Sequence, residues 1–269
     1  MLRVRPIHYT SRMAEWGRLL SALGMVRTVD DGGWQEFDAG SGRIALHGVA
    51  AGVPAGAGTG ADAGAAAGSN KNGTAPDRYL LDGRTDFGVE VGDLAEFARR
   101  TNAAGVEDGT SPAELVTAGH GETCRITGED GYAFFADKAA HSGQCDADPA
   151  LAVVEVWFTP DAAAAAQTLR NMGARLRLAP DDDETADFTA KNGGVLMVRP
   201  AGTARSGFGF EYTGDLSTLR DRLTAAGHRA SMTEEAYGRT LHVANPDAAD
   251  LPENPNGATL WISSRPAGA

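Results

Sequence analysis

Val153-Val154-Glu155-Val156-Trp157-Phe158 is an extended apolar run, followed by an alanine-rich segment that closes at Asn171-Met172-Gly173. The β-branched and aromatic residues of the first part favour a strand. The second part has a left-handed glycine where a helix should stop. The same order appears three more times in the chain. Val4-Arg5-Pro6-Ile7-His8-Tyr9 precedes a helix closing at Leu23-Gly24-Met25, and Asp86-Phe87-Gly88-Val89-Glu90-Val91 precedes one closing at Ala103-Ala104-Gly105. Phe208-Gly209-Phe210-Glu211-Tyr212 precedes the last, closing at Ala225-Ala226-Gly227. Further strands follow each helix. One βαβββ pattern written four times, grouped two and two, predicts an α+β fold.

Within the modules the periodicity places particular faces. Met13, Trp16, Leu19, Leu20 and Leu23 recur at helical spacing, so Trp16 is expected in the core. Trp34, Glu36 and Asp38 share one strand face, and Gln35 and Phe37 the other. Residues 50–68 are Ala and Gly except for Val53, Pro54, Thr59 and Asp62, which predicts a surface spacer with nothing large to bury. Asp93 is an N-cap for a helix over Leu94–Ala104. Residues 106–121 read as irregular, with a helix start at Ser111-Pro112. Gly128-Glu129-Asp130-Gly131 and Asn192-Gly193-Gly194 are turns. The predicted organisation is a first domain over 1–140 (modules 1–49 and 78–137, insertion 50–75), a linker over 141–150, and a second domain over 151–269.

Composition excludes several functions. The 269 residues carry a formal net charge of -12 and no Lys/Arg run, so nothing offers the basic surface that nucleic acid requires. Cys124 and Cys145 show neither metal-ligand nor disulfide spacing and are expected as free thiols. A signal-peptide pattern and a membrane-length apolar stretch are both missing, which gives a cytoplasmic expectation. There is no phosphate loop, His-Glu-x-x-His or Gly-x-Ser-x-Gly. Asp181-Asp182-Asp183-Glu184 lacks calcium-loop spacing and reads as a solvated turn.

The modules, taken with the stretches Ala14-Glu15-Trp16-Gly17-Arg18-Leu19-Leu20, Glu129-Asp130-Gly131-Tyr132, Leu241-His242-Val243-Ala244-Asn245-Pro246-Asp247 and Asn256-Gly257-Ala258-Thr259-Leu260-Trp261, resemble the vicinal oxygen chelate superfamily. This is the glyoxalase, bleomycin-resistance and extradiol-dioxygenase group. The resemblance spans both halves and implies two cup-shaped domains, each built from paired modules. It also implies a divalent metal held inside a cup by His, Gln or Glu. The corresponding positions here are Val4, Ala45, Asp86 and Phe135, then Val153, Met197, Phe208 and Trp261, and only Asp86 among them is a metal donor. No cofactor is therefore favoured. A divalent metal stays open through His8, His47 and Glu90, which lie an even number of residues from Val4, Ala45 and Asp86, are expected on the same strand faces, and are chemically suited to a metal if they converge.

The favoured reading is small-molecule binding in an aromatic-lined cup, similar to the antibiotic-sequestering branch of that group. The candidate ligand-binding residues are Trp34, Glu155, Trp157, Met197, Arg199, Phe208, Phe210, Tyr212 and Trp261. The row Phe208, Phe210, Tyr212 has a second reading as core beneath the helices. The alternative functions are a divalent-metal lyase, isomerase or dioxygenase acting beside vicinal oxygens, and a structural or regulatory protein with degenerate cups. Whether the chain is an enzyme is left open, as is the choice between monomer and homodimer. The expected partner is a small, planar or aromatic molecule, with no nucleic acid and no membrane.

Overall fold

The computed structural model describes residues 1–49, 82–108, 113–140, 146–178, 185–235, 238–248 and 259–265. The Ala/Gly-rich insertion, Ser111-Pro112, Cys145, the Asp181–Glu184 turn and the 254–257 loop lie outside them.

The second half contains the repeat in its plainest form. Its strands are Leu151–Thr159, Arg175–Leu178, Ala186–Thr189, Val195–Pro200, Arg205–Tyr212, Ala230–Glu235, Gly238–Ala244 and Thr259–Ser264, which are β11 to β18 in chain order. Helix α3 (Ala162–Asn171) follows β11 and α4 (Leu216–Ala225) follows β15. The strands form one eight-stranded sheet in the order β12-β13-β14-β11-β15-β18-β17-β16. Each module contributes four adjacent strands, and the two opening strands, β11 and β15, meet antiparallel at the centre.

The first half repeats this layout with a break. It contains β1 (Leu2–Val4), β2 (Ile7–Thr10), α1 (Met13–Ala22), β3 (Val26–Asp31), β4 (Trp34–Asp38) and β5 (Arg43–Gly48). It continues with β6 (Thr85–Asp86), β7 (Gly88–Val91), α2 (Leu94–Asp108), β8 (Ala113–Ala118), β9 (Gly121–Thr127) and β10 (Ala133–Lys138). These strands form two five-stranded sheets, β3-β4-β5-β2-β6 and β1-β7-β10-β9-β8. One antiparallel register runs through both, with Leu2↔Val91 and Val4↔Val89 on one side of the gap and Ile7↔Asp86 and His8↔Thr85 on the other. The two sheets are thus one surface, interrupted at Arg5, Pro6 and Phe87. Pro6 carries no N–H for a ladder.

Local chemistry accounts for the helix ends. Asp161 accepts from the Ala164 N–H, and Asp215 from those of Ser217 and Thr218, as N-caps do. Asp93 does the same for the Glu96 N–H. Gly24, Gly173 and Gly227 end their helices at φ of 91°, 92° and 87°. The second helix departs from expectation, since it passes through Gly105 to Asp108. The irregular stretch expected at 106–121 is mostly a hairpin of β8 and β9. Among the described residues, no helix is long and apolar enough to cross a membrane.

The two halves share one hydrophobic core. Trp16, Leu19, Phe87 and Phe134 belong to the same buried cluster as Val153, Trp157, Phe188 and Phe210. Helix α1 packs on α4 and α2 on α3, so the helix-bearing faces turn inward. Backbone bonds also join the halves: the Val4 N–H donates to the Gly193 carbonyl at 2.9 Å, and the Val153 N–H to the Ser41 carbonyl at 2.8 Å. The end of the predicted linker is packed. Asp148 donates its N–H to Gly24 and accepts from Arg222 and the Tyr212 hydroxyl. Cys124 is buried in β9, and burial pushes its thiol up to about 11.

Two acidic turns cross the junction reciprocally. Asp130 of the first half accepts from the Trp157 indole at 3.1 Å and the Thr159 hydroxyl at 2.7 Å. Asp247 of the second half accepts from the Trp16 indole at 2.8 Å and the Thr10 hydroxyl, and lies 2.6 Å from His8 Nε2. Burial alone would raise the Asp247 carboxyl. Its bonds to His8, then Thr10 and Trp16, outweigh burial and hold it below the ordinary carboxylate value. The Asp247 contribution to stability is therefore present above the unfolded-state value and is lost as pH falls through the folded one.

Trp16 is fully buried and bonded at this junction. Trp16→Ala should cost about 3–5 kcal/mol in chemical denaturation. Gly194 has φ of +90°, and a Cβ there would lie 2.3 Å from Val4 Cβ. Gly194→Ala should therefore lower the melting temperature, whereas Gly202→Ala, with open space around it, should leave it nearly unchanged.

Candidate functional site

Strand alternation assigns the face of the first sheet that points away from the core. Arg3, Arg5, Ile7 and Tyr9 share it with Trp34, Glu36 and Asp38, and β5 adds Arg43, Ala45 and His47. Asp86, Gly88 and Glu90 face the same way, as do Phe135 and Asp137. This concave face holds a cavity of about 660 Å³.

The cavity wall is aromatic. Tyr9 meets His47 edge-on at 5.1 Å between centroids, and Trp34 lies 5.9 Å from His47. Phe135 lines the cavity as well. Burial, and after it the charge of Asp86, pushes the Tyr9 phenol well above its ordinary value. Tyr9 is accordingly a neutral hydroxyl at any ordinary pH.

The floor is ionic and buried. Arg43 has no exposed side-chain surface, and its Nη1 lies 2.9 Å from both Glu36 Oε2 and Glu90 Oε1. Its Nε donates to Asp38. Burial would lower the Arg43 value, but the bond to Asp38 and the charges of Glu90, Asp38 and Glu36 raise it. Arg5 donates to Glu36 at 3.0 Å and to Asp137, and its guanidinium lies 5.6 Å from the Trp34 ring centroid. Arg3 donates to Glu90 at 2.7 Å. Asp137 also accepts from the Thr123 hydroxyl at 2.6 Å and lies 3.2 Å from His120 Nε2. Burial works to raise Asp137, while Arg5, Thr123 and His120 bring it below its ordinary value. Three guanidinium groups thus face four carboxylates, each charge paired, which is the condition for burying them at all.

This donor set does not fit the metal implied by the resemblance. Ala45, Asp86 and Phe135 do reach the concave face, but Val4 points into the core. Asp86 alone is a donor, and it accepts from Arg84 Nε at 2.7 Å. The alternative trio does not converge. His8 lies on the core side of its strand, 4.5 Å from Trp16 and 5.3 Å from Phe208 between ring centroids. His47 and Glu90 lie on the other face, Glu90 bound by Arg3 and Arg43. The expectation that His8 shares their phase fails because it counts from Val4, whose face is the core. Among the described residues, no group of three or more His, Cys, Asp or Glu side chains is arranged to hold a metal ion.

The second cup is filled by its own side chains. Val154, Val156, Val195 and Met197 form a buried apolar cluster on the concave face, with Phe158 and Trp261 packed against it. Trp261 lies over Gly209, where a Cβ would sit 2.3 Å from the indole. The Arg205 guanidinium lies 3.7 Å from the centroid of the Phe158 ring. Of the residues expected to line a ligand site, Met197, Arg199 and Trp261 are on this face, and Arg199 pairs with Asp187 at 2.7 Å. Trp34 lines the first cup. Glu155, Trp157, Phe208, Phe210 and Tyr212 are turned to the buried side of the second sheet, which corrects the expectation of an inward aromatic row. Odd-numbered residues of β11 face the helices, and the even-numbered residues of β15 face the same way.

No protein-family model matches the sequence, and no curated protein matches it. Solved structures match its fold over nearly its whole length. The Mn(II)-bound glyoxalase from Novosphingobium aromaticivorans superposes with a TM-score of 0.58 at 12% identity, covering 97% of this chain and 80% of that one. The 2,3-dioxygenase LapB from Pseudomonas sp. KL28 gives 0.55 at 13% identity, with 98% and 91% covered. An extradiol ring-cleaving dioxygenase from B. fuscum gives 0.57 at 11% identity, with 98% and 71% covered. The chain has the vicinal-oxygen-chelate fold, in tandem.

Removing the central guanidinium should leave buried Asp38 without its arginine and take one arginine partner from each of Glu36 and Glu90. Arg43→Leu is expected to destabilise the protein by about 3–5 kcal/mol in urea denaturation. A change below about 1 kcal/mol would mean that the floor is hydrated rather than ion-paired.

Proposed function

We propose that this protein binds a small molecule with a flat aromatic body in the cup of its first half. The observation that carries the reading is the contrast between the two concave faces. One is an aromatic-walled cavity of about 660 Å³, the other a plug of its own valine, methionine and tryptophan side chains. That volume lies within the range of about 300–1,000 Å³ common for small-ligand sites. Tyr9, Trp34 and Phe135 offer ring faces and edges, which suit a planar ligand. The Tyr9 hydroxyl and the carboxylates of Glu36 and Asp137 supply polar contacts that fix its orientation.

The fold neighbours include a Mn(II)-bound glyoxalase and ring-cleaving dioxygenases. The binding proposed here makes no use of a metal, because the cup-facing carboxylates Glu36, Asp86 and Asp137 are already paired with arginines. Ligand affinity should therefore be the same before and after exhaustive chelation. Near-stoichiometric metal in protein purified without a metal-bearing tag, together with binding lost on chelation, would replace this reading with a metal-dependent one.

The direct test is a fluorescence titration with a panel of aromatic small molecules. Trp34→Ala should weaken the best binder roughly 2- to 12-fold, the range of one aromatic contact. Trp261→Ala should leave affinity unchanged. Phe210→Ala should act on stability rather than on binding, costing about 3–5 kcal/mol, since Phe210 is fully buried in the shared core. Equal loss of affinity in the Trp34 and Trp261 variants would exclude the first cup as the site.

A further inference from the structure

The break in the first sheet is closed from outside it. Arg5 stands opposite Gly88 in the register and gives its N–H to the Gly88 carbonyl at 2.9 Å. A regular antiparallel pair would return the Gly88 N–H to Arg5. Instead the Gly88 N–H donates to Glu155 Oε1 at 2.8 Å, a side chain from β11 of the other half. The neighbouring Phe87 N–H points to the Tyr132 hydroxyl at 3.4 Å. Close by, the Ser206 hydroxyl donates to the Thr85 carbonyl at 2.6 Å. The interruption in the central strand pair is thus bridged by side chains, two of them from the second half.

Glu155 is unusual among the acids of this chain. It has no solvent exposure, and its Oε2 has no hydrogen-bond partner among the described residues. The buried carboxylates of the cup floor are all paired with arginine, whereas Glu155 has one backbone N–H. An ionised carboxylate in that position would be strongly disfavoured.

We infer that Glu155 is a positioning residue of the first cup, a proton-dependent tie from the second half that closes the sheet break and holds Ile7 and Asp86 in register beneath the cavity. The charged and titratable groups facing it are Arg5, Asp86 and Tyr132. Burial is the largest influence on its carboxyl and raises it well above the ordinary value. The Gly88 N–H and Arg5 act the other way, and Asp86 adds to the rise. The folded state therefore keeps a proton that the unfolded chain gives up at about pH 4.3. The stability this acid contributes is complete below that pH and is lost as pH rises toward the folded value.

Glu155→Gln and Glu155→Leu test the inference without any ligand. Glutamine keeps a carbonyl for the Gly88 N–H and cannot ionise; leucine removes the acceptor. Melting temperatures of the wild type and Glu155→Gln should converge near pH 4–5. They should separate as pH rises, with the wild type lower by roughly 2–4 °C or more at pH 9. Amide exchange at Gly88 should stay protected in Glu155→Gln and speed up at least about tenfold in Glu155→Leu, a change far above ordinary scatter. Parallel pH profiles of the wild type and Glu155→Gln would overturn the proton-dependent tie. Unchanged Gly88 protection in a folded Glu155→Leu variant would overturn the positioning role. Should the leucine variant not fold, the glutamine comparison still decides between a neutral and an ionised tie. Because no readout involves a ligand, failure of the proposed binding function would leave these results intact.

Discussion

The Arg43 guanidinium, buried among Glu36, Asp38 and Glu90, is the constraint that organises the first cup. A buried ion cluster adds little net stability over a well-packed apolar core, but removing one member is costly. It also fixes alignment. Arg43 ties β5 to β4 and β7, Arg3 ties β1 to β7, and Arg5 reaches β4 and β10. A strand slipped by one residue would place these charges in the hydrophobic core. The network therefore specifies the register of five strands while leaving an open space above itself. In the second sheet the equivalent layer is Val154, Val156, Val195 and Met197, which need no partner and close over one another. One backbone plan supports an open cup with a charged floor and one filled by packed apolar side chains, and the side-chain choice on a few concave positions makes the difference.

Which parts of this were legible in the sequence depends on how local the determining physics is. The four modules, the helix stops at Gly24, Gly173 and Gly227, and the burial of Trp16 follow from short-range periodicity and appear as expected, whereas the stop expected at Gly105 does not. The Trp34, Glu36 and Asp38 face was legible for the same reason. The site was less so. Assigning a face to a strand requires knowing which face the helices cover, and a count begun at Val4 puts His8 on the wrong side. The row Phe208, Phe210, Tyr212 is in phase either way, and only packing with Trp16 and His8 reveals it as core. The ionic floor left a signal that spacing alone can show: Arg3 and Arg5, and Glu36 and Asp38, each alternate on a strand face that also carries an aromatic or apolar cavity residue. Their mutual pairing, across as many as 132 positions between Arg5 and Asp137, is a tertiary fact.

Glu155 illustrates the same limit from the opposite direction. In the sequence it is a polar handle on a strand facing a cup. In the fold it is part of the interior between the halves, reaching a backbone N–H left over by an irregularity 67 positions away. Neither residue alone predicts the other. Pro6 and Gly88 mark a weak ladder, and the acid across the junction compensates for it.

The reciprocal acidic turns have a consequence for the architecture of the whole chain. Asp130 and Asp247 each leave their own half to satisfy an indole and a threonine hydroxyl of the other. Each half is thus both plug and socket, and the plug of one is not interchangeable with a hydrated loop. Such an arrangement does not distinguish a partner half on the same chain from one on a neighbouring molecule. It is the geometry from which chains can exchange halves, and the segment around Asp148 is bonded to both of them, to Gly24 of the first and to Tyr212 and Arg222 of the second.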